Sequence, residues 1–140
     1  MLKTYDFKQV SCIVGASIIT GFAEGDDAIA IEILSEAFTL VVGADGEATR
    51  SKSNNKSARI TLKLQKSSDA NDILNGYYQS DKLSNTGVFS FLVKDNNGRE
   101  LHVAQQCYIE KAPNANYGAS SGDREWVLVT NDLDSTFGGN

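Results

Sequence analysis

Apolar and polar residues alternate along most of the chain, and this period of two is typical of β-strands with one buried face. The clearest case is residues 59–64, in which Ile60, Leu62 and Leu64 alternate with polar or charged neighbours. Comparable runs predict further strands at 28–34, 38–42, 88–93, 100–110 and 124–130, and a hairpin over 8–19. The pattern therefore predicts a mostly β fold, an antiparallel β-sandwich or barrel, built by a single domain over residues 1–140.

The alternation also assigns side chains to strand faces, because neighbouring residues of a strand point to opposite sides. Besides residues 59–64, three strands have one apolar face, formed by Ile29, Ile31 and Ile33; by Phe38, Leu40 and Val42; and by Leu101, Val103, Cys107 and Ile109. The last of these strands follows Asn97-Gly98, the residue pair most typical of a tight hairpin turn.

One segment departs from the β pattern. Residues 67–78 predict a short α-helix, with Ser68 or Asp69 as the N-cap. Ile73, Leu74, Tyr77 and Tyr78 fall on one side of this helix and form its apolar stripe. Core packing is the expected role of five aromatic residues, in preference to a ligand platform: Tyr77, Tyr78, Phe89, Phe91 and Trp126.

Two segments fall outside the regular elements. A polar, charged arm over residues 43–57 separates the predicted strands 38–42 and 59–64, and it reads as a long extended hairpin loop. Structureless loops of this length are uncommon in compact domains and are usually functional. The tail, residues 131–140, is expected to be flexible unless a partner holds it.

Composition narrows the classes of function. The formal net charge is −5 and the sequence pI is about 4.8, which argues against binding of nucleic acid phosphates by clustered Lys and Arg side chains. No apolar run approaches the length of a membrane span, so we expect no membrane insertion. The N-terminus lacks the apolar segment of a signal peptide, and we therefore expect a cytosolic chain after synthesis.

The sequence offers little for catalysis or metal binding. His102 is the single histidine, and it is interpreted as an ordinary strand residue; its odd spacing from Cys107 predicts opposite strand faces and disfavours a dyad. Cys12 and Cys107 are expected to be buried free thiols rather than a disulfide or a reactive thiol. Acidic pairs at 26–27 and 132–134 are interpreted as a turn and a solvated tail rather than calcium ligands. We therefore predict no catalytic residue, no metal site, no cofactor and no enzymatic activity.

Several segments nevertheless resemble one family. They are residues 5–10, 20–26, 42–55, 123–126 and 138–140, among which Asp-Arg-Glu-Trp and the arm are the most distinctive. In these segments, and over nearly its whole length, the chain resembles the tail tube proteins of contractile-tailed bacteriophages.

The resemblance implies a structural protomer, six of which form a ring. Rings would stack into a tube inside a contractile sheath, and the genome would pass through the channel into the host. The implied partners are further copies of the chain, the sheath protein, baseplate and tail terminator proteins, and the tape measure protein and DNA transiently in the lumen. The implied location is the virion tail, after assembly in the host cytoplasm.

Two sets of residues are predicted to serve this assembly. The candidates for ring-to-ring contacts lie in the arm and are Asp45, Glu47, Arg50, Lys52, Asn54, Asn55 and Lys56. The candidates for acidic groups facing the lumen are Asp26, Asp27, Glu32 and Glu36. Two alternatives stay open at this point: a related ring protein, such as a tube terminator or the tube of a secretion system or bacteriocin, and a monomeric β-sandwich binding module or enzyme.

Overall fold

The structure is a computed structural model that describes residues 2–139, so Met1 and Asn140, the two ends of the predicted domain, lie outside the described residues. The strands are β1 (Val10–Val14), β2 (Ser17–Ile18), β3 (Ile29–Ile33), β4 (Phe38–Val42), β5 (Ala48–Lys52), β6 (Ala58–Gln65), β7 (Phe89–Asp95), β8 (Leu101–Lys111), β9 (Asp123–Thr130) and β10 (Asp134–Thr136). A 3-10 helix spans Phe7–Gln9, and one α-helix, α1, spans Ala70–Ser84.

Eight of these strands form one sheet. The order is β2-β1-β7-β8-β9-β6-β3, and β10 pairs with residues 101–103 of β8. The pairings between these named strands are antiparallel, and β4 and β5 form a separate two-stranded sheet. The predicted fold class, mostly β and antiparallel with one helix, is confirmed.

Strand β6 forms the centre of the core. Ala58, Ile60, Leu62 and Leu64 have no exposed surface, whereas the residues between them reach the other face. Because β6 pairs with β3 on one side and β9 on the other, its buried face is continuous with Trp126 on β9. Each fully buried Leu or Ile stabilises the fold by about 1.5–3 kcal/mol relative to an exposed one. The predicted face of residues 59–64 is therefore correct.

The predicted face of β8 is wrong over its first half. His102 and Ala104 are buried together with Cys107, whereas Leu101 and Val103 lie on the other face and are half-buried. The cause is a β-bulge: Ala104 pairs with Phe91 and Cys107 with Phe89, so β8 has one extra residue in this interval. A second irregularity follows between Ile109 and Lys111. Consequently, His102 and Cys107 both lie on the buried side of β8. The prediction that their odd spacing places them on opposite faces is wrong.

Helix α1 starts at Ala70 and continues to Ser84, six residues beyond its predicted end at Tyr78. Its apolar side is as predicted, with Leu74 buried, and the ring of Tyr77 lies 4.6 Å from that of Phe89. The expected core role of the aromatic residues is confirmed, because Phe89, Phe91 and Trp126 are buried and both tyrosines pack against them.

The N-terminus of α1 is fixed by Asn71. Its Nδ2 group donates hydrogen bonds to the carbonyl oxygens of Gln65, Lys66 and Ser68, and its Oδ1 atom accepts one from Trp126 Nε1 at 2.9 Å. Of the two predicted N-caps, Ser68 makes a bond, from Ala70 N to Ser68 Oγ, whereas Asp69 makes none through its side chain.

The C-terminal segment is attached to the sheet, in contrast to the expected flexible tail. Leu133 is buried, and β10 pairs with the first part of β8. Phe137 lies edge-on to His102 at 5.0 Å, and Gly138 lies against Arg99, a close approach that a side chain at residue 138 would prevent. Only Asn140 of the predicted tail lies outside the described residues.

We expect Asn71→Ala to lower the free energy of unfolding by about 1–3 kcal/mol, because the substitution removes the acceptor of the part-buried hydrogen bond from Trp126 Nε1 and the side-chain donor that the carbonyls of Gln65, Lys66 and Ser68 share. Urea unfolding of the unassembled protein measures the change. The control is Asn75→Ala on the exposed side of the same helix, for which we expect a change within about 0.5 kcal/mol. Equal effects of the two substitutions would contradict this account.

Candidate assembly surfaces

The arm is a β-hairpin formed by β4 and β5. Its turn is closed by hydrogen bonds from Gly46 N to Gly43 O (3.0 Å) and from Gly43 N to Glu47 O (2.7 Å). Asp45 stabilises the turn because its Oδ1 atom accepts a hydrogen bond from Glu47 N. Gly46 has a φ of 87°, a conformation that glycine adopts without the steric cost of a side chain.

Two predictions for this region need correction. Residues 48–52 of the predicted structureless arm form a strand, and the predicted core strand 38–42 pairs with it instead of joining the main sheet. The residues of both strands are exposed. The apolar alternation of residues 38–42 correctly indicated a strand, but it did not indicate that this strand is left exposed by the other described residues.

The register gives the hairpin two different faces. One face, which we call the apolar face, carries Phe38, Leu40, Val42 and Ala48 together with Arg50 and Lys52. Leu40 is 69% exposed, and the Arg50 guanidinium lies 4.4 Å from the centre of the Phe38 ring. The opposite face carries Thr39, Val41, Thr49 and Ser51. One face of the hairpin thus presents a row of apolar side chains next to two cations, and the opposite face carries no cation.

The base of the hairpin is anchored to the main sheet. Ser53 N donates to Ala37 O at 2.8 Å, which closes the hairpin where it leaves the domain. Lys56 pairs with Asp134 at 3.0 Å, and its carbonyl accepts a hydrogen bond from Leu133 N. Lys56 therefore connects the base of the arm to the C-terminal segment.

The structure distributes the predicted contact residues along the arm. Asp45 and Glu47 are in the turn, Arg50 and Lys52 are on the apolar face, and Asn54 is exposed near the base. Asn55 is engaged locally, because its Oδ1 atom accepts hydrogen bonds from the backbone and hydroxyl groups of Ser57. Their role in ring-to-ring contacts stays a prediction.

The four predicted lumen acids do not form one cluster. Asp27 pairs with Lys63 at 2.8 Å, and Glu32 lies 3.9 Å from Arg59. Asp26 lines a cavity whose walls include residues of β1, β3, β7 and β8, and Glu36 is exposed before β4. The hydrogen bond from Lys63, and then its charge, hold the pKa of Asp27 below its ordinary value. Their orientation in an assembly stays a prediction.

The cavity that Asp26 lines has a volume of about 380 Å³ and was not anticipated from the sequence. Its apolar walls include Tyr5, Phe7, Ile29, Ile31, Val93 and Phe137, and its polar groups are Asp26, Asp95, Glu100 and His102. We refer to it as the acidic cavity, because its lining includes three carboxylates and neither Lys nor Arg. The bulge in β8 turns His102 toward it, which the uninterrupted alternation did not predict.

His102 joins the main sheet to the C-terminal segment at this cavity. The imidazole is 5% exposed, its Nδ1 atom lies 2.8 Å from Ser135 Oγ, and its Nε2 atom lies 3.0 Å from Glu100 Oε1. Both ring nitrogens are therefore engaged in structural contacts. His102 was expected to be an ordinary strand residue, and the structure shows it buried and hydrogen-bonded.

Cys12 and Cys107 are free and buried, as predicted. Burial raises the pKa of each thiol to about 12, so the reactive thiolate is scarce at neutral pH. Within residues 2–139, His, Cys, Asp and Glu do not gather in a group of three or more suited to a metal ion. A helix long and apolar enough to cross a membrane is not found in the described part of the chain.

Comparison with known proteins identifies related sequences and folds. The bacteriophage PhiTE tail tube protein family matches residues 2–138. Structural protein ORF10 of Pseudomonas phage KPP10 is 33% identical over 146 aligned residues, which cover 99% of this chain and 84% of that protein.

Solved structures of contractile injection systems have a similar fold. The sheath/tube terminator of the extracellular contractile injection system PVC gives a TM-score of 0.66 at 12% identity, over 97% of this chain and 99% of that chain. A chain of the PVC sheath-tube complex gives 0.65 at 12% identity, over 95% and 91%. The tube terminating cap of the anti-feeding prophage gives 0.66 at 8% identity, over 97% and 93%. At these identities the likeness concerns the fold.

We expect Cys12 and Cys107 to be inert toward a disulfide reagent such as DTNB in the native protein at pH 8, because burial protects both thiols and raises their pKa. In denaturant, both should react. Absorbance of the released thiolate counts the reactive groups, and rapid native reaction of either cysteine would contradict the structure.

We expect Lys63→Gln to raise the pKa of Asp27 toward its ordinary value, because the substitution removes the cation paired with this carboxylate. With Lys63 present, the ion pair favours the folded state at neutral pH, and this contribution is lost only as the pH falls below about 3.9. NMR titration of the Asp27 carboxyl carbon measures the shift. Lys66→Gln serves as the control, because Lys66 instead contacts Asn116 and Tyr117.

Proposed function

The chain belongs to the family of the bacteriophage PhiTE tail tube protein, and from this we propose that it is the repeating subunit of a phage tail tube. Six copies form a closed ring, and stacked rings form the channel through which the genome enters the host. The sheath surrounds this tube, and baseplate and terminator proteins lie at its two ends. The tape measure protein and then DNA occupy its lumen. The subunit assembles in the host cytoplasm and acts in the virion tail as a structural component rather than as an enzyme.

The observation that carries this proposal is the exposed hairpin. A two-stranded hairpin alone is marginally stable in water, and this one leaves Phe38, Leu40 and Val42 uncovered. A contiguous exposed apolar surface is typical of an interaction site. A subunit that is always assembled covers such a surface with its neighbours.

The free edges of the main sheet also favour assembly. Strands β2 and β3 end the sheet, and each presents backbone groups that the described part of the chain leaves for other partners. In a closed ring, every subunit has the same two neighbours, so both edges are covered without unlimited growth in the plane.

We propose that the arm makes contacts between stacked rings. Asp45 and Glu47 at the turn meet basic groups, while Arg50 and Lys52 meet acidic groups and Asn54 and Asn55 add hydrogen bonds. An exposed ion pair contributes only about 0–1 kcal/mol, but the pairs recur around each ring. Lys56 contributes by anchoring the arm to Asp134.

The charge of the chain suits a channel for DNA. The net charge is −5, and we propose that Asp27, Glu32 and Glu36 supply part of an acidic lumen, whereas Asp26 lines the acidic cavity. Such a surface repels phosphate over a screening length of about 8 Å at physiological salt, which keeps the genome from binding to the wall.

A second candidate function is a ring that ends a tube. Two of the three solved structures described above are of tube-terminating proteins, and the fold is as similar to them as to the chain of the sheath-tube complex. Electron microscopy of the purified chain distinguishes the two functions, because a tube subunit forms tubes of indefinite length and a terminator forms rings that do not stack.

We expect tube formation to be lost when residues 38–52 are replaced by a short Gly-Ser link. The link is compatible with the fold because Ala37 and Ser53 are already hydrogen-bonded at the hairpin base. The shortened chain should remain folded by circular dichroism, since the hairpin residues contribute nothing to the buried core. Negative-stain microscopy and pelleting at high speed measure assembly.

The control for this deletion is Leu83→Ser, which removes an apolar residue that is also highly exposed but lies at the end of α1. We expect tubes of normal length from this variant. Tubes of normal length from the hairpin deletion would reject the proposed role of the arm.

A further inference from the structure

The acidic cavity has a chemical character that selects its occupant. Tyr5 and Phe7 provide aromatic walls, and Ile29 and Ile31 provide aliphatic ones. Carboxylates at its lining are not balanced by any lysine or arginine there. A segment that is complementary to this cavity therefore has apolar side chains that enter it and positively charged side chains beside them.

The apolar face of the hairpin has the complementary character. Leu40 and Phe38 project beside Arg50 and Lys52, and neither cation forms an ion pair within residues 2–139. The hairpin does not cover the acidic cavity of its own subunit, because its strands are exposed while the cavity is open.

Two other exposed apolar residues do not match the cavity in this way. Leu83 lies at the end of α1, where the neighbouring Lys82 lies over the Tyr78 ring at 5.0 Å. Tyr117 is exposed, but its ring is already covered by Lys66 at 4.2 Å. Residues 2–8 also combine exposed apolar side chains with lysines, but Tyr5 and Phe7 of that segment line the cavity itself.

We propose that the apolar face of the hairpin of one subunit docks across the acidic cavity of an adjoining subunit. Leu40 and Phe38 enter the space between the aromatic and aliphatic walls, and Arg50 and Lys52 face Glu100 and Asp26. The inference rests on the proposed tube and names the surface that receives the arm. The opposite hairpin face, with Thr39 and Val41, remains outside this contact.

Cysteine cross-linking between two different chains tests this docking. Leu40→Cys is prepared in one chain and Tyr5→Cys, at the cavity mouth, in another; the native thiols are buried and do not interfere. The chains are mixed, assembled into tubes, oxidised with copper phenanthroline and separated on a non-reducing gel. The matched control replaces Leu40→Cys by Val41→Cys, on the other face of the same strand.

We expect the mixed dimer from Leu40→Cys to exceed that from Val41→Cys by about tenfold, because a disulfide requires close and well-oriented Cβ atoms. Tubes that form normally but give equal or no cross-linking overturn the docking and leave the tube function intact. If the wild-type chain forms no tubes, the proposed function itself fails, so the two failures are distinguishable.

Charge-reversal substitutions on the two surfaces test the docking if the cysteine variants do not assemble. Arg50→Glu combined with Lys52→Glu should lower the pelleted fraction several-fold, as should Asp26→Lys. Glu100 is left unchanged, because its Oε1 atom lies 3.0 Å from His102 Nε2 of the same chain. The three substitutions together restore attraction across the contact, so the pelleted fraction should recover. Absence of recovery in the triple variant overturns the docking.

Discussion

The register of strand β6 is the constraint on which the rest of the structure depends. Its four core residues have no exposed surface, so a slip of one residue would turn that whole apolar row to the other face. The fixed register positions β3 and β9 on its two sides. It also positions the arm, because β3 leads into the hairpin at Ile33 and the hairpin returns to β6 at Ala58.

The C-terminal segment depends on the same region. The residues just before β6 hold it, through the pairing of Lys56 with Asp134 and the hydrogen bond from Leu133 to the Lys56 carbonyl. From there β10 reaches β8, where the bulge has turned His102 toward the core and within reach of Ser135. The base of the arm, the C-terminal segment and the acidic cavity are thus linked through one continuous set of contacts.

Buried and exposed apolar residues lie in different parts of this chain. The core contains the buried ones, whereas the apolar residues of the hairpin strands are exposed. The cysteines are buried thiols, and both ring nitrogens of His102 lie within hydrogen-bond distance of neighbouring side chains. The apolar face of the hairpin and the acidic cavity are instead open at the surface, and their character is one of apolar contact and charge.

The sequence by itself determined most of the strands, the helix and much of the core, because a period of two or of 3.6 residues is a local property of the chain; it did not predict β5 or β10. It correctly placed Ile60, Leu62, Leu64 and Trp126 inside. Only the tertiary structure decided which apolar strands are buried, since residues 38–42 alternate like 59–64 but are left exposed by the rest of residues 2–139. Only the pairing of β7 with β8 revealed the bulge that reverses the face of His102, because an extra residue in one strand is defined by its neighbour and not by its own sequence.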